Sequence, residues 1–347
     1  MRILFVAPGA AVTDPKGAHM PFVRREADAL RAAGHEVEVH GFDNRSYVHL
    51  LREWRRLRAA VRRHRADVVH AQFGKFTALI AAFAGAPMVV TFRGTDINRN
   101  TKYSAARSAL GLGASQLAAF FAGGIVCVSR EIRDKVLASR WRPTLLLPTG
   151  VDLKTFRPMQ RAAARRRLGF GAGEKIVLFN AGKNRDVKDP ALAEAAVAAA
   201  RSKLKQLRFV VLDGTAAPGD VPLYMNAADV LLLTSRSEGS PTVVQEAMAC
   251  NLPVVTVDVG DVRERLEGVA ECEVVSGREP AALGLALARV LSAQRRSDGR
   301  AHAAELGVEA IAERLAELYG AVARGRRARC SEPGPGRSGA AGGQAPS

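Results

Sequence analysis

A chain of 347 residues is too long for one compact core and suits two α/β domains. With 48% hydrophobic and 24% charged residues most of it is expected to fold, and 5% aromatics speak against an aromatic-lined lectin groove or a base-stacking platform. The 51 Lys and Arg against 34 Asp and Glu leave a formal charge of +17, which attracts polyanions without choosing among nucleic acid, anionic lipid and phosphorylated substrates.

Residues 2–7 read as a short buried strand, followed by a glycine-bearing loop from Pro8 to Met20. A helix is predicted from Pro21 to Ala33, with Pro at its start and Gly34 just past its end. The alternation Glu36-Val37-Glu38-Val39 is a second strand. Further short apolar runs at 68–69, 88–92, 125–128 and 145–147 are separated by helical stretches, including an Ala-rich one at 77–84. Breakers then cluster in Pro148-Thr149-Gly150 and Phe156-Arg157-Pro158, ahead of an Arg-heavy stretch at 160–167. The alternation restarts with strand 176–179, helix 190–201 and strands 209–212, 230–233 and 254–257. Short buried strands alternating with helices predict parallel, doubly wound sheets, here two of them. The last helix spans 308–322, with Ile311, Leu315, Leu318 and Val322 on one face, and 325–347 reads as a disordered tail of Gly, Pro, Ser, Arg and Ala.

The most informative stretch runs from Glu238 to Val255. Ser240 is a good N-cap and Pro241 a good first helical residue, while Asn251 suits a left-handed stop and Pro253 blocks continuation. A helix N-terminus just beyond a parallel strand is a place for phosphate, because free N–H groups and the positive end of the dipole point there. Gly239 lets backbone approach a ligand closely, and Glu246, further along the helix, carries a carboxylate suited to a ribose diol.

The order Glu238, Gly239, Ser240, Pro241, then Glu246 eight positions on, followed by Ala-Met-Ala and Pro-Val-Val, resembles the signature of retaining group-one (family 4) glycosyltransferases. The resemblance covers about residues 1–320 and implies the GT-B architecture: α/β, two Rossmann-like doubly wound parallel-sheet domains facing a central cleft. It implies an N-terminal acceptor-binding domain at 1–155, a C-terminal nucleotide-sugar-binding domain at 156–307 and a terminal helix at 308–324 packing back toward the first. It also implies that Glu238 sits against the donor sugar, that Glu246 binds ribose hydroxyls, and that Gly239, Ser240, Pro241 and Thr242 line the donor site.

The segment Gly182-Lys183-Asn184-Arg185-Asp186-Val187-Lys188 is similar to the family's basic loop, with Lys183 where Arg is usual and Lys188 in the place of its Lys. The implied role of Lys183 and Lys188 is to neutralise the departing diphosphate, with Arg185 as an extra cation; such a charge must be met by cations and oriented dipoles. Gly17 resembles a family glycine that approaches the diphosphate across the cleft, with Ala18 where a second glycine is common. The segments ending in His70 and in Arg93 resemble two more family segments, but Arg93 replaces a His that contacts the donor sugar or the reacting region. Arg93 reads either as a ligand for phosphate or an acidic sugar, or as a sign of altered or lost activity; His70 reads either as a ligand or as a buried structural histidine. The short segment 213–222 suggests a trimmed base-recognition region.

Residues 51–65 hold seven arginines and one glutamate. Leu50, Leu51, Trp54, Leu57 and Val61 share a face, which either lies on an anionic membrane or packs on the sheet with the arginines solvated. Cys127, Cys250, Cys272 and Cys330 show no CxxC spacing, which disfavours a zinc site or a disulfide framework and fits a reducing cytosol. No secretory signal is visible and no segment nears the roughly 20 apolar residues of a membrane span. The expected location is cytoplasmic, or peripheral on the inner face of the cytoplasmic membrane.

These readings converge on a metal-independent glycosyltransferase without a cofactor. Its donor would be a UDP-, GDP- or similar sugar and its acceptor a glycan or lipid-linked, in surface polysaccharide or glycolipid assembly. Metal is not expected because no DxD-type pair falls in a suitable loop. The alternatives are a non-catalytic GT-B scaffold binding a nucleotide sugar or protein partner, which Arg93 favours; a nucleic-acid binder, which lacks a binding motif, so that no nucleic acid is expected; and a related epimerase, which the Glu-to-Glu spacing argues against.

Overall fold

The apolar runs of the sequence become parallel strands, and successive residues of each strand face opposite sides of their sheet. The computed structural model describes residues 1–9, 20–43, 49–98, 104–182, 185–204 and 206–325. In its N-terminal half lie β1 (Arg2–Pro8), β2 (Glu36–Phe42), β3 (Val68–Ala71), β4 (Met88–Phe92), β5 (Gly124–Cys127) and β6 (Thr144–Leu146), in the order β2-β1-β3-β4-β5-β6. The second sheet is built from β7 (Lys175–Asn180), β8 (Leu207–Leu212), β9 (Val230–Leu233), β10 (Val254–Val257) and β11 (Glu273–Val275), in the order β11-β10-β9-β7-β8. Every strand pairing is parallel. The doubly wound two-sheet architecture is as expected.

Alternation divides each domain's core in two. Leu4, Val6, Val69 and Val90 enter one cluster, while Ile3, Phe5, Val68 and Val89 enter the other. In the second sheet Ile176 and Leu178 face one way, Val177 and Phe179 the other. Helices cover these faces. In the first domain they are α1 (Pro21–Ala32), α2 (Leu50–His64), α3 (Lys75–Ala81), α4 (Ala105–Phe121) and α5 (Arg130–Lys135).

The C-terminal half carries α6 (Arg161–Leu168), α7 (Arg185–Lys188), α8 (Pro190–Arg201), α9 (Val221–Ala227), α10 (Thr242–Ala249), α11 (Val262–Leu266), α12 (Pro280–Ala293) and α13 (Gly299–His302), and α14 (Val308–Ala323) closes the described chain. The last of these buries Ile311, Leu315, Leu318, Tyr319 and Val322 in the first domain's core, beside Phe5, Val68 and Val126. The chain crosses between halves at Val151, whose N–H donates to Leu306 O and whose carbonyl accepts from Val308 N, both at 2.9 Å.

The structure selects one of the two readings of the basic helix and adds a helix the sequence did not suggest. In α2 the residues turned to the core are Glu53, Leu57, Ala60 and Val61, so the apolar stripe packs on the sheet and leaves outward arginines with Leu51. The sequence also predicts no element over 93–124, where α4 forms. Its apolar residues occupy both faces, so no 3.6-residue period stands out. The tail beyond Gly325 lies outside the described residues.

Candidate active site

Both sheets reverse their strand order at the first strand: β1 lies between β2 and β3, β7 between β8 and β9. A crevice opens beyond the carboxyl ends at such a switch point. The segments leaving β7 and β9 are therefore neighbours although about fifty residues separate them. Lys188, on α7, sends its Nζ to Glu238 Oε1 at 2.6 Å; the two side chains are only 20% and 17% exposed. The loops are tied together behind this pair. Arg236 N donates to Val187 O at 2.8 Å, and Thr234 Oγ1 reaches Lys188 O at 2.8 Å. Arg278 clamps the junction, donating to the carbonyls of Thr234 (2.8 Å) and Ser235 (2.9 Å) and to Asp189 Oδ2 (2.8 Å).

Helix α10 starts immediately after this acid. Ser240 does not cap it: its hydroxyl donates to Asp261 Oδ2 at 2.8 Å and accepts from Gln245 Nε2 at 2.9 Å. This corrects the predicted start. Pro241 takes the N-cap position in an extended conformation and Thr242 is the first helical residue. The buried Asp261 carboxylate outcompetes the helix for the hydroxyl, and among the described residues no side chain caps the helix's leading N–H groups. The other end closes as predicted. Asn251 is left-handed (φ 53°), with Asn251 N donating to Met248 O and Leu252 N to Ala247 O, both at 2.9 Å.

Gly239 meets the first domain. A Cβ there would stand 2.1 Å from Arg93 O, so only glycine allows the loops leaving β4 and β9 to touch. Gly260, itself at φ +60°, presses on the same loop from behind. Another contact across the crevice is Arg25, on α1, whose Nη1 lies 3.5 Å from Glu246 Oε1. Burial raises the Glu246 carboxyl above the usual range, and the charges of Arg25 and Lys188 pull it back. Arg25 Nε is buried with no hydrogen-bond partner among the described residues.

Two predicted ligands prove to be internal. His70 is fully buried, with Nδ1 2.6 Å from Tyr319 Oη and Nε2 2.7 Å from Thr91 Oγ1, and so resolves as a structural residue that fastens α14 to β3. Arg93 is likewise committed: its guanidinium bonds Glu26 (2.9 Å), Gln72 Oε1 (2.6 Å) and Thr149 Oγ1 (2.8 Å), and stacks 4.0 Å from the Phe22 ring centroid. In this structure the Arg93 charge is answered within its own domain, and its backbone carbonyl meets Gly239 across the crevice. Arg185 is exposed, and its charge helps hold Asp213 below the usual carboxylate range, after the Thr215 hydrogen bonds. Pro241 is buried and Thr242 half-buried at the helix start. Gly17 and Lys183 lie outside the described residues.

The sequence offered no signal for Arg25, Arg278, Asp261 or Tyr319, because each works through a partner far along the chain. Among the described residues no three His, Cys, Asp or Glu side chains are grouped so as to hold a metal.

Burial, then the charge of Arg93, drives the His70 imidazole down to about 3 from an ordinary 6.5. Below pH 6.5 the unfolded chain binds this proton and the native one does not. The residue's contribution to stability is therefore whole above pH 6.5 and is lost by about 1.4 kcal/mol per unit as pH falls toward 3. Urea midpoints between pH 7 and 4 will show this decline, and His70→Asn will flatten it.

The family profile described as Glycosyltransferase Family 4 matches residues 22–155, and that described as Glycosyl transferases group 1 matches residues 162–293. The chain is 30% identical over 232 residues to the D-inositol 3-phosphate glycosyltransferase of Thermobispora bispora, a match covering 56% of this chain and 54% of that one. It is 29% identical over 217 residues to TuaC of Bacillus subtilis, named for teichuronic acid biosynthesis, again covering 56% and 54%. The chain thus spans about half the length of the curated relatives it matches. Among solved structures, Anabaena HepE in complex with UDP-glucose superimposes with a TM-score of 0.68 at 18% identity, covering 92% of this chain and 99% of HepE. With its two halves matched by paired profiles and its fold shared with such structures, the chain belongs to the group 1, family 4 glycosyltransferases of GT-B architecture.

Proposed function

We propose that the chain transfers a sugar, with retained anomeric configuration, from a nucleotide-sugar donor to a glycan or lipid-linked acceptor in surface-polysaccharide or glycolipid assembly. The observation that carries this reading is the convergence of Lys188 and Glu238 beside the uncapped N-terminus of α10, at the switch point of the second sheet. Breaking the bond between the anomeric carbon and the diphosphate leaves negative charge on the diphosphate. The helix N–H groups and Lys188 meet that charge. An ammonium has three donors, so Lys188 holds Glu238 with one and has two for phosphate oxygens. Glu238, fixed by that bond, faces the sugar, and Glu246 accepts from the ribose hydroxyls. The acceptor oxygen attacks from the face the diphosphate leaves, and its proton passes to a departing phosphate oxygen. Lys183 adds a second cation and Gly17 a backbone contact from the first domain.

A UDP-linked donor is supported by the fold shared with HepE, whose structure holds UDP-glucose. A surface-polymer acceptor is supported by the likeness to TuaC. The reaction would take place in the cytoplasm, in reach of an inner membrane face; among the described residues no helix is long and apolar enough to cross a membrane.

The test is a thermal-shift screen with UDP, GDP and their sugars, followed by donor hydrolysis. A nucleotide at a hundred times its Kd is expected to stabilise the fold by about 2.7 kcal/mol. Glu238→Gln should keep this shift and lose turnover. Nucleotide binding without turnover in the wild type would favour the second reading, a non-catalytic scaffold, which the inward commitment of Arg93 in place of the family's His supports. No shift with any nucleotide would overturn both.

A further inference from the structure

Helix α4 has an outer face that none of the described residues covers. Over its seventeen residues, from Ala105 to Phe121, it carries a single charge, Arg107. Its inner face is buried through Ser108, Gly111, Ala114, Ser115, Ala118 and Ala119. Leu110, Leu117, Phe120 and Phe121 point outward and are each about half exposed. A helix apolar on both faces belongs in a core or against an apolar medium. Neighbouring elements extend the surface. Phe83, just past α3, stacks edge-on against Phe121 with ring centroids 5.1 Å apart, and Trp54 of α2 donates its Nε1–H to Phe83 O at 2.8 Å. Leu137 N is held by Gln116 Oε1 at 3.0 Å, so the 56%-exposed Leu137 borders α4, and Trp141, four residues on, is 65% exposed.

The rim of this surface is cationic. Arg58 lies 5.2 Å from the Trp54 ring centroid. Arg142 lies 5.9 Å from that of Phe120 and donates to Phe120 O at 2.6 Å. Arg140, next to Trp141 in the chain, is exposed. The nearby acids are already answered: Glu131 pairs with Lys135, Asp134 with Arg133, and Glu53 is buried against Arg56.

We propose that the outer face of α4, with Phe83, Leu137 and Trp141, is the surface by which this chain docks on an anionic lipid bilayer. Apolar and aromatic side chains enter the acyl boundary while the arginine heads stay with the phosphates, and the two attractions add. This moves insertion away from the predicted helix 51–65, whose apolar stripe is buried and which supplies rim charge instead. A second copy of the chain fits the face poorly. A twofold contact would set Arg58, Arg140 and Arg142 against their own counterparts, and the described acids beside them, Glu131, Asp134 and Glu53, are already paired. Topology gives the docking a use. The helix starts on the crevice side, after the exit of β4, and ends at the entry to β5, so a chain lying along α4 keeps its crevice open at the membrane surface. This is the route a lipid-linked acceptor would need, and to that extent the inference deepens the proposed function; the docking itself is independent of sugar transfer.

The experiment is flotation of the full chain with phosphatidylcholine vesicles, with and without phosphatidylglycerol, at low and high salt. Binding is expected only with phosphatidylglycerol, weakening with salt. Leu117→Gln/Phe120→Ser/Trp141→Ser should reduce it tenfold or more, and each of Arg140→Gln and Arg142→Gln about fivefold. Trp141 fluorescence should shift to the blue in the bound wild type. The triple variant should keep the wild-type melting temperature and nucleotide response. Vesicle binding is read without substrate, so its failure and a failure of sugar transfer are separate results. The proposal is overturned by absence of binding to anionic vesicles, by undiminished binding of the triple variant, or by a dimer in solution that the triple variant dissolves.

Discussion

Replacing Lys188 by alanine will lower kcat for sugar transfer by about a hundredfold to a thousandfold, equivalent to about 3–4 kcal/mol of barrier. Two losses coincide in this variant. In the proposed reaction the leaving diphosphate is deprived of a cation, and Glu238 is released from the 2.6 Å bond that fixes its carboxylate. The fold will lose about 1–3 kcal/mol, because the Glu238 carboxylate, 17% exposed, is left without its partner. Lys188→Arg will restore only part of the rate: it returns the charge, but as a planar fork larger than the ammonium that the loop encloses. Steady-state kinetics beside urea midpoints separate the two effects. An unaltered kcat in Lys188→Ala would remove the neutralising role from this residue.

Arg93→Ala will behave in the opposite way, with its main effect on stability. The guanidinium is 10% exposed, and its partner Glu26, on α1, is 5% exposed. Deleting the arginine strands a buried carboxylate and leaves Gln72 and Thr149 short of a donor. Breaking a buried pair from one side costs about 3–5 kcal/mol. Adding Glu26→Gln should recover part of that loss, since it removes the stranded charge, and a double-mutant cycle measures the coupling. Arg93→His would return the residue the family carries without reaching Glu26, Gln72 and Thr149 together. The pattern reads as an exchange: a position that faces the donor in the family resemblance is here built into the wall of the first domain.

Much of the architecture is legible along the chain because its signals are local. Five apolar residues between breakers make a buried parallel strand whatever lies elsewhere, and Pro190 followed by an Ala-rich run yields the helix Pro190–Arg201. The stop at Asn251 follows from the left-handed conformation that asparagine tolerates and Pro253 enforces. Helix Ala105–Phe121 escaped that logic because its sequence lacks a polar face; the composition that hides its period is also what leaves its surface apolar. Ser240 escaped it for another reason. A hydroxyl at a helix start is a good cap until a buried carboxylate twenty-one residues away claims it.

The sequence alone determined the two wound sheets, the family signature from Glu238 to Val255 and the residue types from which a site is made. Only the tertiary structure decided which of those residues meet. Lys188 finds Glu238 across 50 residues, Arg93 finds Glu26 across 67 and His70 finds Tyr319 across 249. Periodicity and capping act over one or two turns and are written in neighbouring letters. A buried charge, by contrast, takes whichever counter-charge the strand order brings alongside, and strand order is a property of the whole chain.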